Sequence, residues 1–135
     1  MGGMGFIESN KAAIMHDNVL INIHMLEAAR LNNIDKFLYT STACVYPGYR
    51  QNTPDVIPLK EEDAYPADAE YGYGWEKLVA ERQCRHYCED YGLATYSVRF
   101  HNIFGTLGTY DGGREKSPAA ICRKIALADA DDDIE

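Results

Sequence analysis

The sequence has no apolar run approaching the ~20 residues that a membrane-crossing helix needs. Its first residues lack the basic and apolar zones of a secretory leader, so none is expected there. Cysteines are few. Cys44, Cys84, Cys88 and Cys122 have none of the density of a disulfide scaffold, so free thiols in a reducing, cytoplasmic setting are expected. Nor do Cys84, His86 and Cys88 suggest a metal site. The two cysteines share a helix face, but His86 points away from them, and zinc needs more converging ligands. Basic residues are outnumbered, 13 Lys+Arg against 21 Asp+Glu, for a formal net charge of -8. That balance argues against nucleic acid or an anionic membrane as the main partner. It leaves room for an anionic small ligand, because a few placed donors bind phosphate locally.

What is present is globular composition with enough length for a core. Residues 1–17, rich in Gly and Met, read as irregular. Asp17 or Asn18 is expected to cap a helix running to about Leu31, with Val19, Ile23 and Leu26 on its inner stripe and Asn33 as its stop. "DKFLYT" (35–40) reads as a buried strand, and "STACVYP" as its end and the following loop, closed by Pro47. Four of the five prolines fall between Pro47 and Pro66, among many acidic residues. Residues 48–72 therefore read as a surface excursion. A second helix is expected from about Tyr73 to Tyr91, with Gly92 as its C-terminal cap. Ala80, Cys84, Tyr87, Cys88 and Tyr91 would mark one face. "ATYSVRF" (94–100) alternates and is rich in strand formers. Residues 101–116 read as loop. Ser117 then Pro118 is a good helix start, cap followed by first position. The last residues, "DADDDIE", read as a solvated tail.

Strands that alternate with helices predict an α/β fold, a parallel sheet covered on both faces. Two strands are too few for such a sheet. The chain is therefore expected to be the central part of a larger domain.

Four stretches carry chemistry. "MGGMG" offers Gly2, Gly3 and Gly5, but a dinucleotide fingerprint needs a strand before it and a helix straight after. A loop beside a ligand is the plainer reading. "YTSTACVYP" runs a strand straight into Ser41, Thr42 and Cys44, and ligands of open parallel sheets bind beyond the strands' carboxyl ends. Cys44 is either a small buried hydrophobe or a proton shuttle, if a nearby cation lowers its pKa. "DAEYGYGWEKLVAER" (68–82) holds two tyrosines before a lysine. A phenol titrates near ~10, too high for a base at neutral pH, unless an ammonium beside it favours the phenolate. Four residues on from Tyr73 is Lys77, one helical turn away on the same face; four on from Tyr71 is Trp75. Spacing selects Tyr73. Finally, Asn102 follows a strand end. Arg114, Lys116, Arg123 and Lys124 are the densest basic cluster, either a solvated face or an anion site at a helix start.

Thr42 after a strand, Tyr73-x-x-x-Lys77 at a helix start and Asn102 in "HNIFG" together resemble the extended short-chain dehydrogenase/reductase family. "STACVYP", "YGWEKLVAE", "RFHNIFG" and "GGREKSPAAICRK" narrow the resemblance to its GDP-mannose 3,5-epimerase subfamily, over nearly the whole chain. The resemblance implies a Rossmann-type, NAD-dependent sugar-nucleotide epimerase, converting GDP-mannose to GDP-L-galactose for ascorbate and cell-wall synthesis. Thr42 and Tyr73 would handle the sugar's 4-hydroxyl while a hydride passes to NAD. Lys77 would hold the nicotinamide ribose and lower the pKa of Tyr73. The resulting 4-ketone acidifies the hydrogens on carbons 3 and 5. Cys44 as base and Lys116 as acid would then invert those centres before the hydride returns. Gly2, Asn102, Glu115, Lys116, Ser117 and Lys124 would bind the GDP-sugar, with Thr42, Ala43 and Cys44 lining the sugar pocket. Helices 18–32 and 74–91 would form a homodimer bundle. Against that pattern, the N-terminal strands with their glycine fingerprint, and the C-terminal substrate domain, are missing. Two enzymatic alternatives stand beside it. A UDP-sugar 4-epimerase shares Thr, Tyr and Lys without needing Cys44 or Lys116. A 4,6-dehydratase has an Asp-Glu pair where this chain has Ala43 and Cys44, which counts against it. A fragment that only docks or dimerises is the non-catalytic alternative.

Overall fold

A computed structural model describes residues 2–51 and 58–129. Two compact units result, Lys11–His101 and Met1–Asn10 with Asn102–Glu135.

In the first unit, strands β1 (Lys36–Thr42) and β2 (Ala94–Phe100) pair in parallel, from Lys36 opposite Ala94 to Thr42 opposite Phe100. Helices α2 (Lys11–Leu31) and α3 (Tyr71–Tyr91) lie along each other, and α3 also packs on both strands. Leu26 and Ala29 of α2, Ala80 and Cys84 of α3, Tyr39 of β1 and Leu93 form the buried core between them. Each large apolar side chain buried there contributes about 1.5–3 kcal/mol. Gly92 ends α3 as expected: at φ 72 it takes the left-handed turn that a Cβ disfavours, and its N–H donates to the Cys88 carbonyl, 3.0 Å.

Several expectations are corrected. The first helix begins at Lys11, not near Asn18, because "KAAIM" is made of good helix formers and Asn18 spends its side chain elsewhere. Its inner stripe runs Ile14, Asn18, Asn22, Leu26 and Ala29, whereas Ile23 is 37% exposed and points outward. The sheet is covered on one face within this unit: Leu38 and Tyr96, on the other, are 62% and 55% exposed. The described part of 48–72 is not a mere excursion. Short 3-10 turns at Gly48–Arg50 and Glu61–Ala64, and a bridge from Pro47 to Ala69, fold it back. Val45, Tyr46, Ala64, Ala69 and Leu78 then form a second buried cluster. Cys88 and Tyr91, expected on the inner face of α3, are exposed.

The second unit holds α1 (Met4–Ser9) and α4 (Ser117–Leu127), joined to the rest by the loop from Asn102 to Lys116. Residues 4–9 and 11–17 are thus helical rather than irregular. Gly3 caps α1, its N–H donating to the Arg114 carbonyl at 3.1 Å, and the Arg114 guanidinium lies 4.5 Å from the Phe6 ring centre. Pro118 falls in the first turn of α4 as expected, but the cap position is Lys116 rather than Ser117. Most of the expected solvated tail, residues 130–135, lies outside the described residues.

Candidate active site

The carboxyl end of β1 meets the first turn of α3. β1 carries Ser41 and Thr42 inward, both under a tenth exposed, and the chain turns at once into a 3-10 helix, Ala43–Val45. Thr42 caps that turn, its Oγ1 accepting the Cys44 N–H at 3.3 Å. The Cys44 carbonyl accepts the Glu70 N–H at 2.9 Å, which ties this turn to the entry of α3. Gly74 makes the approach possible, because a Cβ there would collide with the Cys44 carbonyl oxygen.

Tyr73 and Lys77 therefore stand at the strand end, as their spacing requires. A side-chain hydrogen bond joins Tyr73 to Thr42. The Lys77 Nζ lies 5.9 Å from the Tyr73 ring centre and 4.9 Å from that of Tyr39, and donates to the Thr40 carbonyl at 3.0 Å. An ammonium has three N–H groups, so a ligand's hydroxyls can be met here too. Tyr71, the rejected alternative, is 42% exposed, with Lys11 over its ring at 5.0 Å.

The electrostatics differ from expectation in two respects. Burial, with the Cys44 and Glu76 charges adding to it, pushes Tyr73 above the ordinary phenol range, and only the Thr42 hydrogen bond opposes this. The Lys77 ammonium, hydrogen-bonded to the Thr40 carbonyl, does not bring it back to the ordinary range. Burial also lowers Lys77, offset by the Glu76 charge. The second difference concerns Cys44. Its side chain meets the Glu70 carboxyl, and Glu70 itself is raised by burial against that hydrogen bond.

Sequence reasoning missed Glu76, which is 1% exposed and accepts amide N–H bonds from Asn18 (2.7 Å) and Asn22 (2.8 Å). The signal was there, two asparagines four residues apart on the inner stripe of α2.

In the other unit, Gly2 is buried, and a Cβ on Gly3 would lie 2.5 Å from the Glu115 carbonyl oxygen. The "MGGMG" and "GGREK" stretches are thus side by side. Glu115 Oε2 and Arg123 Nε are buried there without a hydrogen-bond partner. Backbone N–H groups, its own and those of Gly113 and Arg114, hold the Glu115 carboxyl below its usual range, with Arg123 helping. Lys116 precedes α4, Ser117 and Lys124 lie on it, and Asn102 opens the loop, exposed. Loop and helix border an open cavity of about 650 Å³ lined by Phe104, Leu107, Tyr110, Cys122 and Arg123. Cys44 and Lys116 fall in different units.

The family model described as "NAD dependent epimerase/dehydratase family" matches residues 2–134. The chain belongs to this family. It is 52% identical over 124 residues to GDP-mannose 3,5-epimerase from Arabidopsis thaliana, covering 92% of this chain and 33% of that protein. The chain thus spans about a third of the length of that relative. Among solved structures it resembles a GDP-D-glycero-L-gluco-heptose synthase from Campylobacter jejuni determined with NADPH (TM-score 0.80, 26% identity, 94% of this chain and 36% of that one). It also resembles UDP-glucose 4-epimerase from Brucella ovis in complex with NAD (TM-score 0.60, 26% identity, 73% and 28%). The fold is Rossmann-like, as the alternation of strands and helices predicts.

Proposed function

We propose that the chain is the central part of a nicotinamide-binding Rossmann-type domain in an enzyme that epimerises GDP-mannose at carbons 3 and 5, to GDP-L-galactose. The observation that carries this reading is the assembly of Thr42, Tyr73 and Lys77 at one strand end, with Cys44 in the next turn. The identity to a GDP-mannose 3,5-epimerase supports the substrate.

The half-buried Lys77 ammonium beside the Tyr73 ring suits the hydroxyls of a nicotinamide ribose, so Lys77 and Tyr73 hold the cofactor, taken as NAD. When bound, that cofactor would supply reversible hydride exchange with carbon 4 of the sugar. Thr42 and Tyr73 hold the 4-hydroxyl, and Tyr73 takes its proton. Burial keeps the free phenol neutral, so Tyr73 takes that proton only after ligands bringing positive charge to the ring have driven its own proton off to solvent. With carbon 4 a ketone, Cys44 removes the protons at carbons 3 and 5, and Lys116 delivers protons to the opposite face. Ala43 lines the sugar pocket. Gly2, Asn102, Glu115, Ser117 and Lys124 hold the GDP-sugar. The exposed apolar side chains of α2 and α3, Ile21 and Met25 at 58% and 57% and Val79 at 50%, support a homodimer through helices 18–32 and 74–91. The working compartment is the cytoplasm, and the product feeds ascorbate and cell-wall synthesis.

A second reading, a UDP-sugar 4-epimerase, is favoured by one observation, the Glu70 carboxyl hydrogen-bonded to the Cys44 side chain. Paired variants of the protein at its native length separate the two. Under the 3,5-epimerase reading, Cys44→Ser abolishes inversion at carbons 3 and 5 and leaves nicotinamide reduction intact, while Tyr73→Phe removes reduction itself. Full inversion in Cys44→Ser refutes the role given to Cys44, while inversion at carbon 4 alone by the unaltered protein returns the choice to the 4-epimerase.

A further inference from the structure

Arg99 stands on β2 opposite Ser41 of β1, so the two side chains share one face of the sheet. Its guanidinium is largely buried. Nε and Nη2 donate to the two carboxylate oxygens of Glu81 on α3, at 3.0 and 2.7 Å. Nη1 donates to the Tyr46 hydroxyl at 3.2 Å and to the Glu61 carbonyl at 2.7 Å. The guanidinium carbon also lies over the Tyr46 ring, 5.0 Å from its centre. Glu81 in turn accepts the hydroxyl of Ser41 at 2.5 Å. Ser41 directly precedes Thr42, and Tyr46 directly follows the 3-10 turn Ala43–Val45; both are buried. The turn that carries Cys44 is thus held at both ends from one side chain.

We propose that Arg99 is a positioning residue for the turn from Thr42 to Cys44: through Glu81 it holds Ser41 before the turn, and through Nη1 it holds Tyr46 after it. The consequence for turnover rests on the roles given above to Thr42 and Cys44. Side-chain chemistry explains why an arginine stands here. A planar guanidinium presents five N–H groups in fixed directions, whereas a lysine has three on one atom and no fork. The fork meets both Glu81 oxygens and still reaches Tyr46 and Glu61. A pair that merely locked β2 to α3 would end at Glu81. Here two of the guanidinium's hydrogen bonds leave the pair for the chain beyond Cys44, and Glu81 takes the hydroxyl next to Thr42. The hydrogen bonds within the turn are long, 3.3 Å from the Cys44 N–H to Thr42 Oγ1 and 3.1 Å from the Tyr46 N–H to the Ala43 carbonyl. A reacting group displaced by about 1 Å loses on the order of 100-fold in rate, so a turn of this kind gains from being held at both ends.

The test is amide hydrogen exchange, with turnover beside it, on the native-length protein. Ser41→Ala combined with Tyr46→Phe removes the two hydroxyls through which the turn is held and leaves the Glu81–Arg99 pair intact. The amides to follow are Cys44, bonded to Thr42 Oγ1, and Glu70, bonded to the Cys44 carbonyl. Their exchange should quicken about tenfold, while Ala80 and Cys84 in the core keep their protection. On GDP-mannose, kcat should fall about tenfold with KM little changed. Unchanged exchange at Cys44 and Glu70 overturns the proposal. Exchange that quickens equally in the core overturns it too, since a general loss of stability produces that pattern. Natural turnover by a variant whose turn has loosened overturns it as well. If the double variant does not fold, Arg99→Lys decides by the same readings, because an ammonium keeps the charge opposite Glu81 and gives up the fork. If the turn amides alone quicken and the natural protein turns over no GDP-mannose, the positioning role stands and the epimerase reading fails.

Discussion

At the scale of single residues, the placing of Tyr73 rather than Tyr71 near Lys77 was legible because helical spacing is a geometric rule that packing cannot alter. The direction of its pKa was not legible. Spacing puts an ammonium one turn away, but only the fold reveals that burial dominates and that the ammonium is committed to the Thr40 carbonyl. Gly74 is a residue whose role is likewise spatial. Gly74→Ala should cost about 1–3 kcal/mol, since its methyl group would push α3 off the Cys44 turn. Urea unfolding measures that cost. Tyr73 and Cys44 would separate in the same variant, so ligand binding should fall as well. A second residue-scale case is Glu81. It accepts from Ser41 at 2.5 Å and pairs through two contacts with Arg99, both side chains largely buried. Glu81→Ala strands the Arg99 guanidinium and should cost about 3–5 kcal/mol by the same measurement. Replacing both partners by apolar residues should cost much less.

Among the elements, β2 and the end of α3 were legible to the residue, because strand formers and an αL glycine act locally. The start of α2 was not. Asn18 has the chemistry of a cap, and the inner stripe breaks its apolar pattern at Asn18 and Asn22. Those two residues meet Glu76, more than fifty positions later, which no local window contains. The fold-back of 48–72 was missed for a similar reason, since proline and acidic content masked a few buried apolar residues. The α2–α3 seam also carries a pH-dependent clasp. Glu27 accepts from Arg30 at 2.9 Å and from Tyr87 of α3 at 2.9 Å, and the Arg30 and Tyr87 hydrogen bonds hold its carboxyl at about 2, below the ordinary 4.5. With the folded value below the unfolded one, this contribution is present above pH 4.5 and is lost as pH falls towards about 2. Glu27→Gln should therefore show a shallower loss of thermal stability than the natural chain across that acid window. Equal slopes would remove Glu27 from the acid sensitivity of the seam.

For the molecule as a whole, the α/β class followed from the alternation of elements, and the family followed from motifs spread across both units. The bare face of the sheet was not anticipated, because a strand pattern shows that a face is apolar but not what lies on it. Exposed apolar residues on α2 and α3 lead to a prediction about assembly. Met25→Glu should convert a dimer to a monomer in sedimentation equilibrium while leaving helix content unchanged. A dimer of undiminished affinity would place the contact elsewhere.

The central claim is that Cys44 abstracts protons from carbons activated by oxidation at the Thr42–Tyr73–Lys77 centre. Its most direct measurement is nuclear magnetic resonance of GDP-mannose incubated with the native-length protein and NAD in heavy water. Deuterium should enter at carbons 3 and 5 with the natural protein and at neither with Cys44→Ser. Deuterium entering at both carbons in Cys44→Ser, at the natural rate, would contradict it.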